Sequence, residues 1–455
     1  MDGDEIRKVV RESNYVTWRR QAGWDPLVVV RAEGSKFWDS AGKEYLDLSS
    51  QLVATNLGHG NPAVVRAIQE QAAALAYAGP GFATEARARL SLALRDVLPK
   101  GLSRYFFSTS GTEANEAALK IARVATGRTK VIARPRSYHG ATAASISVTG
   151  DLRRRPIEKV QRVPGTVFAP DCYCYRCPFG LTYPSCHIEC AEYVDRQIEQ
   201  EGDVAAMIVE PVVGTNGVIV PVPEYLPRIR AITRRHGVLL IDDEVMAGWG
   251  RVGEWFAVDR WGVTPDLLTT AKGITGALVP LGLTATTEAV HDSFKEQYFP
   301  HGHTYEAHPL TLAPAVAAIG EYRRLGLLEK SRTDGEYLLG RLREIAERHP
   351  SVGEVRGLGL FAAVELVRNR ATRTPFNTED DKLAGRPLVA DQVAAAMLKD
   401  GVYCMAWVSH LVIAPPLIVT RDELDRGLEV LDAALSVADA RVDGAAAPGL
   451  STSGS

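Results

Sequence analysis

Short apolar runs alternate with helical stretches from about residue 60 to residue 325, and this alternation limits the fold more than any other feature of the chain. The first helical stretch is marked by apolar residues at helical spacing, Val64, Ile68, Ala72 and Leu75. The strand-like runs occupy 105–107, 130–133, 205–209, 238–241, 267–270 and 281–285. Buried strands that alternate with helices predict an α/β fold in which a mostly parallel sheet is covered by helices.

Outside this region the pattern changes, and the 455 residues are too many for one ordinary domain. Residues 27–48 are typical of short strands joined by a turn at 40–42. The C-terminal part predicts a helix over about 328–348, a strand over 355–365 and a final helix over about 421–438. We therefore predict an N-terminal segment (1–58) that contributes to a small domain, a large domain (59–325), a C-terminal small α+β domain (326–440) and a disordered tail (441–455).

Composition and charge argue against two classes of partner. The net charge is −3, and no basic stripe predicts binding to nucleic acid. No apolar run reaches the roughly 18 residues that a membrane-spanning helix needs. The first residues of the chain carry charges where a signal peptide has its apolar segment, so we expect a cytoplasmic protein that does not bind membranes.

Five of the six cysteines lie in one segment, at Cys172, Cys174, Cys177, Cys186 and Cys190. Disulfides are rare in the cytoplasm, so the alternatives are a metal site and reduced thiols. The spacing fits no standard zinc or iron–sulfur ligand set well. We therefore expect reduced thiols and no metal.

Two motifs that follow strand-like runs could bind a flat, phosphorylated ligand. Ser110, Gly111 and Thr112 precede a predicted helix over about 113–125, where free backbone amides and hydroxyls make an anion site. The alternative is a plain helix cap. Tyr138, within Ser-Tyr-His-Gly, could stack on an aromatic ring, and the alternative is an ordinary turn.

Two further motifs place ionisable side chains at the ends of apolar runs. Asp242, Asp243 and Glu244 follow 238–241, where a charge is costly unless it is paired. Open α/β sheets bind ligands at strand ends, and a carboxylate there could hold a pyridine nitrogen protonated; a solvated loop or a metal site is the alternative. Lys272 follows the next apolar run and could form an imine with an aldehyde, unless it is an exposed cap. Together the four motifs predict a cofactor with a phosphate, an aromatic ring, a basic ring nitrogen and an aldehyde.

The segment 241–251, Ile-Asp-Asp-Glu-Val-Met-Ala-Gly-Trp-Gly-Arg, resembles a known family signature. It is similar to the Asp-Glu-Val-x-x-Gly-aromatic-Gly-Arg motif of the class III (ω) aminotransferases, which have pyridoxal-5′-phosphate (PLP) fold type I. Ala271-Lys272-Gly273 also fits that family, and the resemblance extends over about 37–435. It implies a PLP-dependent aminotransferase with a mainly parallel seven-stranded sheet in a large domain and a smaller α+β domain.

The same resemblance implies roles for individual residues. Lys272 would carry PLP as a Schiff base and shuttle protons, and Asp243 would pair with the ring nitrogen. Val245 and Tyr138 would pack on the two faces of the ring. Thr304 would reach the phosphate of a neighbouring subunit, which implies a homodimer or a dimer of dimers with shared active sites. The implied cofactor contacts are Ser110, Gly111, Thr112, Tyr138, His139, Glu210, Asp243, Val245, Lys272 and Thr304.

The chain departs from the family pattern where a substrate acid would be bound. Many members use an arginine in the C-terminal domain, shortly before the segment that contains Pro415, and 402–410 holds none. Met405 or Trp407 takes its place. The implied substrate-pocket residues are Tyr15, Leu52, Phe82 and Trp407, each of which could equally be a packing residue.

The implied reaction transfers an amino group from an ω-amino acid, a taurine-like amine or a diamine to an oxo acid, with pyruvate expected, by a ping-pong mechanism. Racemases, aminomutases and decarboxylases use the same scaffold and are the alternatives. A non-catalytic protein on this fold would normally lack the lysine or the aspartate, whereas Lys272 and Asp243 are both present.

Overall fold

The computed structural model describes residues 1–444, so the predicted disordered tail lies outside the described residues from position 445 onward. The strands are β1 Val29–Glu33, β2 Lys36–Asp39, β3 Glu44–Asp47, β4 Leu102–Ser108, β5 Lys130–Ala133, β6 Thr166–Phe168, β7 Val204–Val209, β8 Leu239–Asp243, β9 Leu267–Thr270, β10 Gly282–Thr287, β11 Val352–Gly357, β12 Ala362–Asn369, β13 Thr374–Pro375, β14 Val402–Tyr403, β15 Met405–Trp407 and β16 His410–Ile413. The helices are α1 Gly3–Ser13, α2 Ser50–Val53, α3 Pro62–Ala74, α4 Glu85–Arg95, α5 Gly111–Thr126, α6 Ala143–Val148, α7 Arg155–Gln161, α8 Glu189–Glu201, α9 Tyr225–Arg235, α10 Glu288–Asp292, α11 Pro309–Arg324, α12 Leu327–Arg348, α13 Glu379–Leu383, α14 Val389–Lys399 and α15 Arg421–Asp439. None of these helices of residues 1–444 is long and apolar enough to cross a bilayer.

A seven-stranded sheet forms the centre, with its strands in the order β4-β10-β9-β8-β7-β5-β6. Only β10 is antiparallel to its neighbours, and the other neighbouring pairs are parallel. The prediction of an α/β fold with a mainly parallel seven-stranded sheet is therefore confirmed. All six apolar runs named from the sequence lie within this sheet or overlap its strands. The seventh strand, β6, has only three residues, too few to give a strand pattern.

Helices cover both faces of this sheet, which is why every residue of β7 is buried. Successive side chains of a strand point to opposite faces. On one face, Ile208 of β7 packs in a cluster with Ala118 and Ala122 of α5. On the other face, Met207 belongs to the main core, together with apolar residues of α8 and α9. Because α5 follows β4 after a short loop, its N-terminus lies at the edge where the parallel strands end.

Both ends of the chain form smaller sheets. One has the order β1-β2-β3-β14, and it joins the predicted N-terminal strands to Val402–Tyr403 through parallel pairing with β3. The other has the order β11-β12-β16-β15, with β13 paired to β12. The pairing of β3 with β14 ties the N-terminal segment to the C-terminal part. The three boundaries between the four predicted segments stay a prediction.

The single strand predicted over 355–365 is wrong. The chain forms two antiparallel strands there, β11 and β12, whose register pairs Gly357 with Ala362. Gly359 lies in the turn between them with a φ of +59°, a conformation that glycine adopts without strain. The apolar residues on both sides of the turn made the segment read as one continuous strand.

Arg251 connects distant segments of the fold from a fully buried position. Its Nη1 donates hydrogen bonds to the backbone oxygens of Leu360 (3.0 Å) and Pro415 (2.6 Å). Its Nη2 donates to Ser50 Oγ (3.2 Å) and Asn56 Oδ1 (2.7 Å). Burial lowers the pKa of Arg251 to about 10. One side chain of the central region thus holds both the N-terminal and the C-terminal parts of the chain.

Alanine substitutions at two glycines of α12 are expected to change the stability of the protein in opposite directions. A Cβ at Gly335 would lie 2.3 Å from the backbone carbon of Gly359, whereas a Cβ at Gly340 would have no heavy atom within 4 Å. We expect Gly335→Ala to destabilise the protein by about 1–3 kcal/mol through overpacking. Gly340→Ala should stabilise it by up to about 1 kcal/mol, because alanine favours the helix. Thermal unfolding of the two variants beside the parent measures both effects, and a shift of the same sign in both would contradict this packing.

Candidate active site

A cavity of about 170 Å³ lies where the parallel strands end and α5 begins. This is the edge at which open α/β sheets bind ligands. The cavity brings together all of the predicted cofactor contacts except Ser110 and Thr304. Its lining consists of Gly111, Thr112, Asn115, Tyr138, His139, Gly140, Glu210, Thr215, Asp243, Val245, Met246, Ala271 and Lys272.

Asp243, the last residue of β8, presents a buried carboxylate to this cavity. Its Oδ2 lies 2.7 Å from His139 Nδ1 and accepts a hydrogen bond of 2.8 Å from Asn115 Nδ2. Its Oδ1 accepts a bond of 3.1 Å from the Val245 amide. Asn115 is itself fixed, because its Oδ1 accepts a 2.6 Å bond from Thr269 Oγ1. Three neighbouring groups therefore fix the position of this carboxylate at the cavity.

The neighbouring Asp242 has the opposite environment. It lies on the other face of β8, and both of its carboxylate oxygens are buried with no hydrogen-bond partner in the described part of the chain. Burial raises its pKa well above the ordinary value, and the negative charges of Glu244 and Asp243 add to this. Burial also raises the pKa of Glu244 to about 8. Of the three consecutive acids, Asp243 is the one that lines the cavity.

Lys272 follows β9 and has a φ of +47°, which is a strained conformation for a residue with a side chain. Such a conformation costs about 1–3 kcal/mol and occurs mainly at functional sites. Burial lowers the pKa of Lys272 to about 8; the carboxylates of Asp243 and Glu210 partly oppose this, and the charge of Arg153 adds to it. A much larger fraction of the amine is therefore neutral near pH 7 than for an exposed lysine, and the neutral amine is the nucleophilic form.

The N-terminus of α5 forms an anion cradle. The Ser110 side chain caps this helix by accepting a hydrogen bond from the Glu113 amide. Within residues 1–444, the amides of Gly111 and Thr112 have no acceptor, and they open to the cavity. A Cβ at position 111 would lie 2.8 Å from both methyl groups of Val245. Only glycine therefore lets the helix end and Val245 lie this close together.

Glu210 supports the loop that carries Tyr138. Its Oε1 accepts a hydrogen bond of 3.0 Å from the Tyr138 amide, and its Oε2 accepts one of 2.8 Å from the Gly214 amide. Burial raises the pKa of Glu210; the charge of Asp243 adds to this, and His139 together with the two amides opposes it. The Glu210 carboxylate therefore positions backbone around the cavity.

The remaining predicted positions lie outside the cavity. Thr304 is exposed in a turn, where its carbonyl accepts a hydrogen bond from the Tyr77 hydroxyl. Tyr15, Leu52 and Phe82 are 96%, 60% and 70% exposed, whereas Trp407 is only 9% exposed. Their roles toward a partner subunit or a substrate stay predictions.

The five clustered cysteines all line one very small cavity, of about 20 Å³. Burial and then the neighbouring thiols raise the pKa of Cys190 to about 12, which keeps that thiol protonated. Two groups of three ligating side chains in the described part of the chain have ligand atoms within 4.8 Å of one another, and neither contains a cysteine. These groups are Asp195, Glu199 and His236, and Glu288, His291 and Asp292. The expectation of reduced thiols without a metal stays a prediction.

Sequence reasoning assigned no role to several residues that the fold brings to the site. Asn115 stands one helical turn after Gly111, so its spacing could have placed it beside the cradle. Gly140 passes so close to Thr112 that a Cβ there would lie 1.9 Å from Thr112 Oγ1. Arg153 stands within a run of three arginines, which is more typical of a solvated surface.

Comparison with known proteins assigns this fold and site to a family. The class-III aminotransferase family profile matches residues 19–435. The chain therefore belongs to the class-III aminotransferases, and it is a PLP-dependent aminotransferase.

Individual relatives carry several activities within this family. The chain is 35% identical to the leucine/methionine racemase of Thermococcus litoralis, over 90% of this chain and 91% of the relative. It is also 35% identical to the taurine–pyruvate aminotransferase of Rhodobacter capsulatus, over 90% and 92% of the two chains. Among solved structures, the taurine:2-oxoglutarate aminotransferase of Bifidobacterium kashiwanohense, in complex with PLP and glutamate, superposes with a TM-score of 0.91 at 35% identity, covering 97% of this chain and 99% of that chain.

The residues around the cavity fit PLP on grounds of their own chemistry. The free amides of Gly111 and Thr112 lack an acceptor that a phosphate would supply. The absence of a side chain at position 111 keeps the helix end accessible. An amine and a buried, hydrogen-bonded carboxylate, from Lys272 and Asp243, line the same cavity. These are the groups that an aldehyde and a pyridine nitrogen require.

The lowered pKa of Lys272 predicts how PLP uptake depends on pH. In the apoenzyme, the rate of covalent PLP binding should rise with pH and level off above about 8, because the neutral amine is the reactive form. Asp243→Asn removes a charge that raises this pKa, so the rate should level off at a lower pH in that variant. The growth of visible absorbance on mixing with PLP measures the rate. A rate that keeps rising up to the ordinary lysine value of 10.5 would contradict the burial of the amine.

The contrast between the two aspartates predicts a second result. Asp243→Asn should lower kcat by roughly 10²–10³, because the charge that faces the cavity is lost. Asp242→Asn should leave kcat unchanged, because the buried Asp242 is already neutral and asparagine has nearly the same shape. Alanine formation from pyruvate at saturating donor measures both variants. An equal loss of kcat in the two variants would show that the substitutions act by disturbing β8 and not by removing a charge from the cavity.

Proposed function

We propose that this enzyme transfers an amino group from an ω-amino acid, a taurine-like amine or a diamine to an oxo acid, with pyruvate as the acceptor, in a ping-pong reaction. The observation that carries the proposal is the Lys272 amine, with its low pKa, in one cavity with the Asp243 carboxylate and the anion cradle of α5. The relatives that use taurine and pyruvate support the choice of substrates for this chain.

When bound, PLP supplies an aldehyde that takes up the amino group and a ring that withdraws electrons from the substrate carbon. The residues of the chain provide the remaining parts of the mechanism. The amides of Gly111 and Thr112 would hold the phosphate, and the carboxylate of Asp243 would hold a proton on the ring nitrogen. Val245 and Tyr138 would pack on the ring. These residues would fix the ring relative to the Lys272 amine.

Lys272 acts as the proton carrier of the reaction. Its pKa of about 8 allows the amine to accept a proton from the substrate carbon and to return it at pH values near neutrality. Within residues 1–444, its Nζ makes no hydrogen bond that would have to break before the amine takes up a proton. The same group can therefore serve both half-reactions, first with the donor and then with the oxo acid.

We also propose that Thr304 completes the cavity of a neighbouring subunit. Within its own chain Thr304 is exposed and lies outside the cavity, on the loop that precedes α11. A homodimer, or a dimer of dimers, would then carry shared active sites. This arrangement would also cover the exposed Phe82.

A racemase is the second candidate, because a racemase is among the relatives with 35% identity. A racemase inverts one substrate and needs no acceptor, whereas amino transfer makes alanine from pyruvate. A donor panel of taurine, β-alanine and putrescine, each tested with pyruvate and with 2-oxoglutarate, separates the two. Racemisation of leucine or methionine without alanine formation would overturn the proposal.

The role of Lys272 gives a direct test of the mechanism. Lys272→Ala should lower kcat by at least about 10³, because both the covalent attachment and the proton transfer are lost. Lys295→Ala is the matched control, since Lys295 is 57% exposed and pairs only with Asp292 in the described part of the chain. Alanine formation measures the rates, and visible absorbance measures covalent PLP. Undiminished activity in Lys272→Ala would refute the mechanism.

A further inference from the structure

Arg153 is a buried arginine near the cavity that the mechanism above does not use. It stands in the segment after α6, and only 7% of the residue is exposed. Its Nε donates hydrogen bonds to both carboxylate oxygens of Asp151, at 3.1 and 2.9 Å, and its Nη2 also donates to Asp151. The bidentate pair fixes the plane of the guanidinium group.

Three aromatic rings surround this guanidinium group. Its central carbon lies 3.6 Å from the ring centre of Tyr138, 4.5 Å from that of Trp407 and 5.5 Å from that of Trp18. Tyr138 lines the cavity, and the charge of Arg153 acts on the Lys272 amine. Arg153 therefore contacts both Tyr138, which lines the cavity, and Trp407, which stands in the segment 402–410 that holds no arginine.

Two hydrogen-bond donors of Arg153 and Trp407 have no acceptor in the described part of the chain. Within residues 1–444, Nη1 of Arg153 donates no hydrogen bond, whereas Nε and Nη2 both donate to Asp151. The indole Nε1 of Trp407 is buried and has no acceptor among these residues. A buried donor without an acceptor is unfavourable, so a ligand that offers an oxygen atom to Trp407 Nε1 would be stabilised, and Nη1 of Arg153 is available to bind the same ligand.

The local charge is also positive. Lys382 Nζ lies 4.7 Å from the ring centre of Trp407. Burial lowers the pKa of Lys382, Asp391 opposes this at a separation of 4.0 Å, and the charges of Arg19 and Arg153 add to it. Asp151 pairs with Arg153, Asp391 lies 4.0 Å from Lys382, and Arg19 has no carboxylate partner within residues 1–444. The remaining positive charge of Arg19 favours an anionic ligand.

We propose that Arg153 binds the acidic group of the amine donor, a carboxylate or a sulfonate, through its free Nη1. The donors of the enzyme are then ω-amino acids and aminosulfonates, and diamines are excluded because their second cation would meet Arg153 and Lys382. This inference rests on the proposed amino-transfer function and names the donor class of that site. Arg153 takes the role that an arginine before Pro415 has in relatives.

The chain offers a matched control two residues away. Arg155 is 44% exposed, and its guanidinium group pairs with Glu379 and Asp380. It lies in the same arginine run, and it has no contact with Tyr138 or Trp407 among the described residues. Arg155→Gln removes one positive charge from this segment and leaves the cavity unaltered.

The test uses the donor half-reaction alone, so that the carboxylate of pyruvate plays no part. PLP-loaded enzyme is mixed with β-alanine, with taurine or with 3-amino-1-propanol, which has the size of β-alanine but lacks its charge. The loss of visible absorbance gives the rate constant divided by the apparent Kd for each amine. We expect the parent and Arg155→Gln to prefer β-alanine and taurine over the alcohol by about tenfold or more. Arg153→Gln should bring this preference close to one, and Arg153→Lys should restore part of it.

Arg153→Gln leaves Asp151 as an unpaired buried charge, which could disturb the fold. The double variant Asp151→Asn/Arg153→Gln removes both charges and is therefore measured in parallel, with the visible absorbance of bound PLP as the check of an intact site. An unchanged preference in a variant that retains this absorbance would overturn the role of Arg153, while leaving amino transfer intact. A parent enzyme that reacts with none of the three amines and forms no alanine in the donor panel would overturn the proposed function itself.

Discussion

The buried carboxylate of Asp243 is the interaction on which the rest of the site depends. A charge at the end of a covered strand is stable only if donors surround it, and the fold supplies them from three separate places. Asn115 comes from α5, His139 from the loop after β5, and the Val245 amide from the turn after β8. The same three segments carry the anion cradle, the aromatic residue and the glycine-rich turn. Satisfying one carboxylate thus brings together nearly everything that the cavity needs.

The parallel sheet explains why these segments can meet. Neighbouring strands β7, β8 and β9 end at one edge, so the residues that follow them lie close together although they are far apart in the chain. Small residues then allow the loops to approach. Gly111 lies against Val245, and Gly140 lies against Thr112, at distances that no Cβ would permit. Lys272, at the end of β9, also has a positive φ, which is a strained conformation for a residue with a side chain.

Much of this arrangement could be predicted from the sequence, because its signals are local. Apolar runs such as Val204–Val209 fixed the sheet, and ionisable residues directly after such runs pointed to Asp243 and Lys272. The signals failed where a structure depends on distant partners or on few residues. β6 is too short to give a pattern, and the turn at Gly359 is hidden within an apolar segment. The sequence predicts an exposed position for Arg153, because its partners Trp18 and Trp407 are remote in sequence.

The position of Arg251 has a consequence for anyone who wishes to divide this protein. A fragment that begins after residue 58 and ends near residue 325 would contain the guanidinium group and none of its four acceptors. The exposed or unsatisfied arginine would then lie beside Trp249 and the strand that leads to Lys272, at the base of the cavity. The hydrogen bonds of Arg251 therefore argue against the use of 59–325 as an independent module for expression or domain grafting.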